Sequence, residues 1–443
     1  MKNKQTSSRT GLSWPAYHML TILCIFIALP LAALAQTPLS LEKALSLAIQ
    51  RSTQLAAYDA ASKAAHNMGA AVGELPDPVL RLGINNLPID GADRFNLTRD
   101  FMTMRSVGVM QEFTREDKRK ARRNRFEKEG ELVNANRNLT ANNVRRNTAK
   151  AWLDSYYQDR ILEVLVRQRD EAKLQIETSD AAYRGGRGSL NDAFAARTAV
   201  VQIEDRIASA ELEAGTSKIQ LGRWIGDIGA YALDALPLMD RVVFNENHLD
   251  SQLLHHPQIA VMQSQEVVAQ ADADTAIANK HADWTVEIML NQRGSAYSNM
   301  ASINASIPWQ WDQKNRQDRE VSAKLAMVEQ LRAERADALR NHSTEIRVML
   351  QEWRSNLNRL LKYDGVILPL AKERTSAALA AYRGGVAAAS TLSAVLEARR
   401  MEVDVQLERL RLEKETARLW VQLNYQNTYT EVESIPGSSK EQK

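Results

Sequence analysis

The chain has 443 residues, a formal net charge of +3, 44% hydrophobic and 25% charged residues, and one cysteine. That balance excludes a disordered polyelectrolyte, and so small a net charge creates no field to draw in nucleic acid or an acidic partner. Only 19 Gly and 11 Pro stand against abundant Ala, Leu, Arg, Glu and Gln, which favours long helices.

The chain opens with Lys2, Lys4 and Arg9, an apolar run from Met19 to Leu34, and Ala33-Leu34-Ala35 before Gln36. A positive start, a short apolar stretch and small residues at the cleavage site read as a secretory signal peptide over 1–35. The run is shorter than the roughly 20 residues a membrane-spanning helix needs, which weighs against an anchor. Cys24 falls inside it, so the mature chain is expected to use neither disulfides nor thiolate metal sites.

From Leu41 to Leu75 apolar residues recur at steps of three and four, predicting a helix that stops at Pro76-Asp77-Pro78. The period then changes to two. Leu80, Leu82 and Ile84 alternate with Arg81, Gly83 and Asn85, and Val107 and Val109 alternate with Ser106 and Gly108. These predict two strands within a hairpin over 78–113, each with one apolar face. A helix from about 114 to Tyr183 follows, roughly 100 Å long at about 1.5 Å per residue. It ends at "AAYRGG" (181–186), where Gly-Gly frees the backbone to reverse, and Ser189 is a candidate N-cap for a return helix to about Trp224.

The hexapeptide returns at 380–385. Six identical residues at that separation point to a duplicated unit. The second half repeats the order: a helix led by Leu253, Ile259, Val267 and Ala271, then strands on Trp284, Val286, Ile288, Leu290 and on Ala301, Ile303, Ala305, Ile307, a hairpin over 284–309. A second long helix, from about 312 to Tyr382, carries the seam Leu339, His342, Ile346, Met349, Trp353, Leu357, Leu360, Tyr363, Ile367, Leu370. A return helix runs to about Asn424. The expected organisation is a signal peptide, structural repeats over 36–237 and 238–430, and a flexible tail over 431–443. In each repeat the two shorter helices together match the length of the long one.

Four amphipathic strands leave two open edges, and an edge inside a bilayer carries unsatisfied amides and carbonyls. One chain cannot close a barrel of eight or more strands, so several chains must share one. A water-filled lumen favours at least three. An ordinary soluble sheet packed on helices would show the same alternation.

"LPDPVLRLGINNLP" (75–88), "SVGVMQEF" (106–113), "SINASIPWQWDQKNR" (302–316) and the tip pattern "YRGG…ND…AR" (183–197) resemble the TolC-like outer-membrane efflux family. "FNLTRDFMTMRSVGVMQEF" (95–113) resembles its heavy-metal cation branch, the CzcC- and CusC-like proteins. The resemblance spans nearly all of the mature chain. It implies a mainly α fold with a small β part. Long coiled-coil hairpins would build a periplasmic α-barrel, and four strands per chain would enter a transmembrane β-barrel in a homotrimer. The implied partners are outer-membrane lipid, a periplasmic adaptor (membrane fusion) protein and a proton-driven inner-membrane pump of the RND type. The implied place is the outer membrane of a Gram-negative bacterium, extending into the periplasm.

The family narrows its periplasmic mouth with acidic residues just after the tip turn, and Asp192 falls at such a position. In the second half Ala394 occupies the matching place; three extra residues after Tyr382 bring Glu397 to a second acidic position. Rings of carboxylates in a narrow pore select cations; an acidic residue at a helix start also simply complements the dipole. Tyr183, Arg184, Tyr382 and Arg383 are candidates for holding the mouth closed or receiving the adaptor, or for plain tip packing.

"REDKRKARRNR" (115–125) starts the first long helix and reads as a solvated helix face. The six histidines outside the signal peptide show no i, i+4 pair; His255-His256 is the one candidate cluster, and His342 reads as an interior group on the seam. Met102, Met104 and Met110 read as packing. No nucleophile–base pair, phosphate loop or metalloprotease motif occurs, so neither catalysis nor a cofactor is expected. The resulting reading is a passive exit duct of a tripartite efflux system, with heavy-metal cations as cargo. The alternatives are a duct for drugs or organic solutes, and a secreted structural coiled-coil protein.

Overall fold

A computed structural model describes residues 38–186, 188–226, 232–244, 248–384 and 391–425. The expected signal peptide, Cys24, the last glycine of the second "AAYRGG" and the tail over 431–443 lie outside the described residues. In chain order the elements are α1 (Leu41–Arg51), α2 (Thr53–Gly73), β1 (Val79–Asn85), β2 (Met104–Phe113), α3 (Glu116–Arg184), α4 (Leu190–Ile225), α5 (Leu249–Leu253), α6 (Pro257–Ala278), β3 (Trp284–Gln292), β4 (Met300–Ser306), α7 (Gln317–Lys362), α8 (Leu368–Gly384) and α9 (Leu392–Asn424). The protein is mainly helical with one small sheet.

The 69-residue α3 is the spine, about 100 Å long at about 1.5 Å per residue. Near the sheet it packs between α2 and α6, and towards the tips between α4 and α9. The second rod, α7 with α8, lies against α6 and then α9. Each long rod is thus flanked by shorter helices stacked end to end, as their lengths require.

Three of the expected helices are corrected, and the one led by Leu253, Ile259, Val267 and Ala271 is divided into α5 and α6 at His256, whose extended backbone caps α6 just before Pro257. The first is broken at Ser52, whose backbone is extended (ψ 103°) and whose hydroxyl accepts the Leu55 amide at 3.4 Å, so that α2 starts anew. The second rod is interrupted by a π-helical turn over Tyr363–Ile367. Pro369 has no amide to give the Gly365 carbonyl and crowds it, and a wider turn relieves both. That turn advances the seam by one residue. Leu339 to Tyr363 are covered as expected, but Ile367 and Leu370 are 37% and 59% exposed. The covered positions beyond the turn start with Leu368, Ala371 and the buried Thr375, which donates to the Ala398 carbonyl of α9 at 3.2 Å.

Midway along the rods sit two cores. One gathers Leu39, Leu41, Ala44, Trp152, Leu153, Tyr157, Leu221 and Ile225 with Val421 of α9. Leu39 forms a parallel bridge with Leu233, and its carbonyl accepts Trp152 Nε1 at 3.0 Å, so the start of the described chain wraps the rod. The other gathers Phe244, Leu249, Leu253, Ile346, Leu350, Trp353 and Leu423.

The sheet has the order β1-β2-β3-β4, antiparallel throughout. The two hairpins join through β2 and β3, and β1 and β4 are left as edges. A polar staple fixes the sheet to α3. Asp283 accepts the Arg115 amide at 3.0 Å, capping α3, and pairs with the buried Lys118 ammonium at 2.7 Å. Removing one partner of a buried pair strands the other charge. Asp283→Ala is therefore expected to cost about 3–5 kcal/mol. Asp283→Asn, which keeps a cap acceptor, should cost less; denaturant midpoints of the three proteins check the order.

Candidate functional site

The pairing register sorts the sheet into two faces. Leu80, Val109, Ile288 and Ile303 form one row and Leu82, Val107, Leu290 and Ala301 the next. These side chains are exposed on one face, Leu82 by 74% and Ile303 by 75%. At the helical end of the same face Phe113 stacks on Trp284, with ring centroids 4.6 Å apart.

The opposite face is polar and cross-linked. Asn85 Nδ2 donates to Ser106 Oγ at 2.6 Å, Ser106 Oγ to Asn291 Oδ1 at 2.6 Å, and Asn291 Nδ2 to Ser302 Oγ at 2.9 Å. The chain of bonds crosses all four strands. Beside it Arg81 pairs with Glu287 at 3.1 Å, and Asn304 Nδ2 donates to Glu287 at 3.2 Å. Gly108 permits this packing: a Cβ there would stand 2.5 Å from the Ile288 carbonyl. One face suits hydrocarbon, the other water.

The first tip is built from the hexapeptide as its chemistry suggests. α3 ends at Arg184, Gly186 takes a positive φ of 66°, and the Gly188 amide donates to the Ala182 carbonyl at 3.1 Å. Ser189 and Asp192 then form a reciprocal capping box: the Asp192 amide donates to Ser189 Oγ at 3.1 Å, and Asp192 Oδ2 accepts the Ser189 amide at 3.2 Å and its hydroxyl at 2.7 Å. Tyr183 is about half exposed, and Arg184 donates to the Asp180 carbonyl at 3.3 Å. Arg197 pairs with the Asp180 carboxylate at 3.2 Å, bracing the hairpin. At the second tip Tyr382 is partly covered and Arg383 exposed, and Thr391 caps α9 through the Ala394 amide at 3.3 Å.

Glu397 lines an open groove of about 960 Å³ between α3, α4 and α9, with Glu171, Phe194, Asp205, Arg206 and Arg400. Asp192 is not part of that groove. Its walls are tied by Arg399–Glu171 at 2.7 Å and Arg206–Asp404 at 2.9 Å. Among the described residues no group of three or more His, Cys, Asp or Glu is placed to hold a metal, and no helix is long and apolar enough to cross a membrane.

No protein-family model and no curated protein matches this chain. Solved structures do. The outer-membrane channel OprN superposes with a TM-score of 0.71 at 14% identity, covering 87% of this chain and 90% of that one. The outer membrane protein VceC from Vibrio cholerae superposes at 0.70 and 16% identity, covering 86% and 94%. CusC, whose structures describe transmembrane channel formation, gives 0.70 and 16%, covering 86% and 90%. The chain shares the fold of these proteins.

In this fold several polar groups meet that no local pattern announces. The buried Asp154 of α3 accepts Arg418 of α9 at 2.7 Å, with Lys414 at 3.9 Å; burial holds the Lys414 ammonium below its ordinary value. Buried Glu402 pairs with Arg399 at 3.2 Å. His256, buried at the start of α6, accepts the Gln258 amide through Nδ1 at 3.3 Å. Its ring lies 4.8 Å from that of His342, and its Nε2 is buried without a hydrogen-bond partner among the described residues. The contacts of Asp154 with Arg418 and Lys414, and of His256 with His342, join residues far apart in the chain, and periodicity carries no signal for them. The basic run at 115–125 is partly neutralised: Lys120 pairs with Glu116 and Arg123 with Glu127 along the helix, and Arg125 with Glu129 and with Asp272 of α6.

Proposed function

We propose that this protein is the outer-membrane exit duct of a tripartite efflux system, with heavy-metal cations as cargo. The observation that supports it best is the sheet: apolar and exposed on one face, polar and internally bonded on the other, with both edge strands unpaired and rods about 100 Å long beneath it. Such a sheet finishes its hydrogen bonding in a bilayer only by pairing edge to edge with copies of itself. Three copies give twelve strands and a lumen, with the polar faces inward. The rods continue the lumen through the periplasm as two repeats per chain. A periplasmic adaptor and an RND pump in the inner membrane supply the energy, and the duct itself performs no chemistry.

At the tips, rings of Asp192 and Glu397 select cations, while Tyr183, Arg184, Tyr382 and Arg383 hold the mouth or meet the adaptor. Asp192 also caps α4, so the informative variant is Asp192→Asn, whose amide oxygen still accepts from Ser189 while the charge is gone. Reconstituted Asp192→Asn pores should show weakened cation selectivity without losing stability. Unchanged selectivity and unchanged block by multivalent cations would remove the pore role and leave the cap. The cargo is tested in the host. Deletion of the gene should sensitise cells to a group of metals such as zinc, cobalt, cadmium, nickel, copper or silver, and not to hydrophobic drugs. Sensitivity to drugs alone would keep the duct and overturn the metal assignment.

A further inference from the structure

The apolar face of β4 does not stop with the strand. Ile303 and Ala305 are followed at the same alternation by Ile307, Trp309 and Trp311, which are 66%, 88% and 89% exposed. With the stacked Phe113 and Trp284 they collect at the helical end of the sheet. Indole is amphipathic, and a pair this exposed gains most at the boundary between hydrocarbon and headgroups. The segment is held in place: Gln313 Nε2 donates to the Lys280 carbonyl at 3.1 Å, the Asp318 amide to the Gln313 carbonyl at 2.9 Å, and Lys280 pairs with Asp318 at 2.7 Å.

The charge just past the tryptophans is cationic on balance: Lys314, Arg316 and Arg319 stand against two carboxylates without an ion pair among the described residues, Asp312 and Glu320. Asp318 is taken by Lys280, and Asp312 accepts Asn315 at 3.0 Å. Among the described residues Lys314, Arg316 and Arg319 have no ion pair, and all three are exposed. An indole pair with three free cations beside it is complementary to a lipid that offers an apolar tail and an anionic phosphate.

We propose that the segment from Ile307 to Arg319 is a docking site for the headgroup of an anionic glycerophospholipid. Trp309 and Trp311 seat at the acyl–headgroup boundary, and Lys314, Arg316 and Arg319 bind the phosphate. The proposal rests on the duct reading, which puts this end of the sheet in the periplasmic leaflet, where glycerophospholipids reside. It adds a lipid preference and the residues that carry it.

Full-length protein is reconstituted into vesicles of phosphatidylcholine and phosphatidylglycerol in which one or the other lipid carries brominated acyl chains, and tryptophan fluorescence is read. Brominated phosphatidylglycerol should quench at least about twofold more than brominated phosphatidylcholine at equal content, as attraction of each nearby cation for an anionic surface implies. Trp309→Phe with Trp311→Phe should lower that quenching to the share that Trp284, on the same face, contributes. Gln at 314, 316 and 319 together should preserve quenching and erase the preference. Equal quenching by both lipids in the unaltered protein overturns the proposal. So does unchanged quenching in the double Phe protein while it still conducts, because the tryptophans then lie under the neighbouring copy. Failure of the unaltered protein to insert or conduct would instead count against the duct itself.

Discussion

Replacing Ile288 with arginine is expected to remove the protein from the outer-membrane fraction. Ile288 lies in the middle row of the apolar face, on a central strand, and is 53% exposed in the protomer. An arginine near the middle of a barrel wall costs about 2–4 kcal/mol, and the proposed barrel of three copies multiplies that cost. Ser302 on β4 faces the other way, where its hydroxyl accepts from Asn291. Ser302→Lys loses that bond but meets water, so it should still assemble and insert. Heat-resistant oligomers in membrane fractions measure both. Had the sheet packed as a soluble layer, Ile288→Arg would leave a secreted, folded protein in the periplasm, and that outcome would refute the barrel.

The second large effect is one of acidity. Burial, with the His342 ring alongside and the positive Arg146 nearby, pushes His256 down from 6.5 to about 4. His342 in turn holds Glu345 through Nδ1 at 3.2 Å. The unfolded chain takes up a proton as pH falls through about 6.5, and the native state resists until about 4. Stability is thus complete above the unfolded value and declines as pH falls between those two values. The loss is about 1.4 kcal/mol per unit and on the order of 3 kcal/mol in all. His256→Asn keeps a side-chain acceptor for the Gln258 amide and cannot titrate. Its denaturant midpoint should vary less between about pH 7 and 4.5 than that of the unaltered protein. An undiminished slope would assign the acid sensitivity to another group.

Much of this architecture is legible in the sequence because its elements are long and strongly periodic. The second rod repeats its apolar spacing from Leu339 to Tyr363, the first is closed near Arg184 by Gly-Gly, and strands such as Trp284–Gln292 declare themselves by a change of period from 3.6 to 2. The tip is legible for another reason. Gly-Gly and a Ser three residues before Asp192 are local backbone chemistry, and the turn and capping box follow from neighbours in sequence. The π turn at Tyr363–Ile367 was not legible, because Pro369 announces a disturbance and not how many residues absorb it. One residue there changed which of Ile367 and Leu368 faces the core.

Sequence alone therefore determined the order and approximate length of the rods, the two faces of each strand, and the first tip. All of these depend on interactions within a few residues. Tertiary structure alone decided that β2 and β3 join the hairpins into one sheet, that the polar face is a single bonded network, and that Asp154 meets Arg418, Lys118 meets Asp283 and His256 meets His342. Those contacts depend on how rods of matched length slide and rotate against one another. A single titratable residue leaves no trace of that in a periodic pattern, because its partner is chosen by the packing of everything between them.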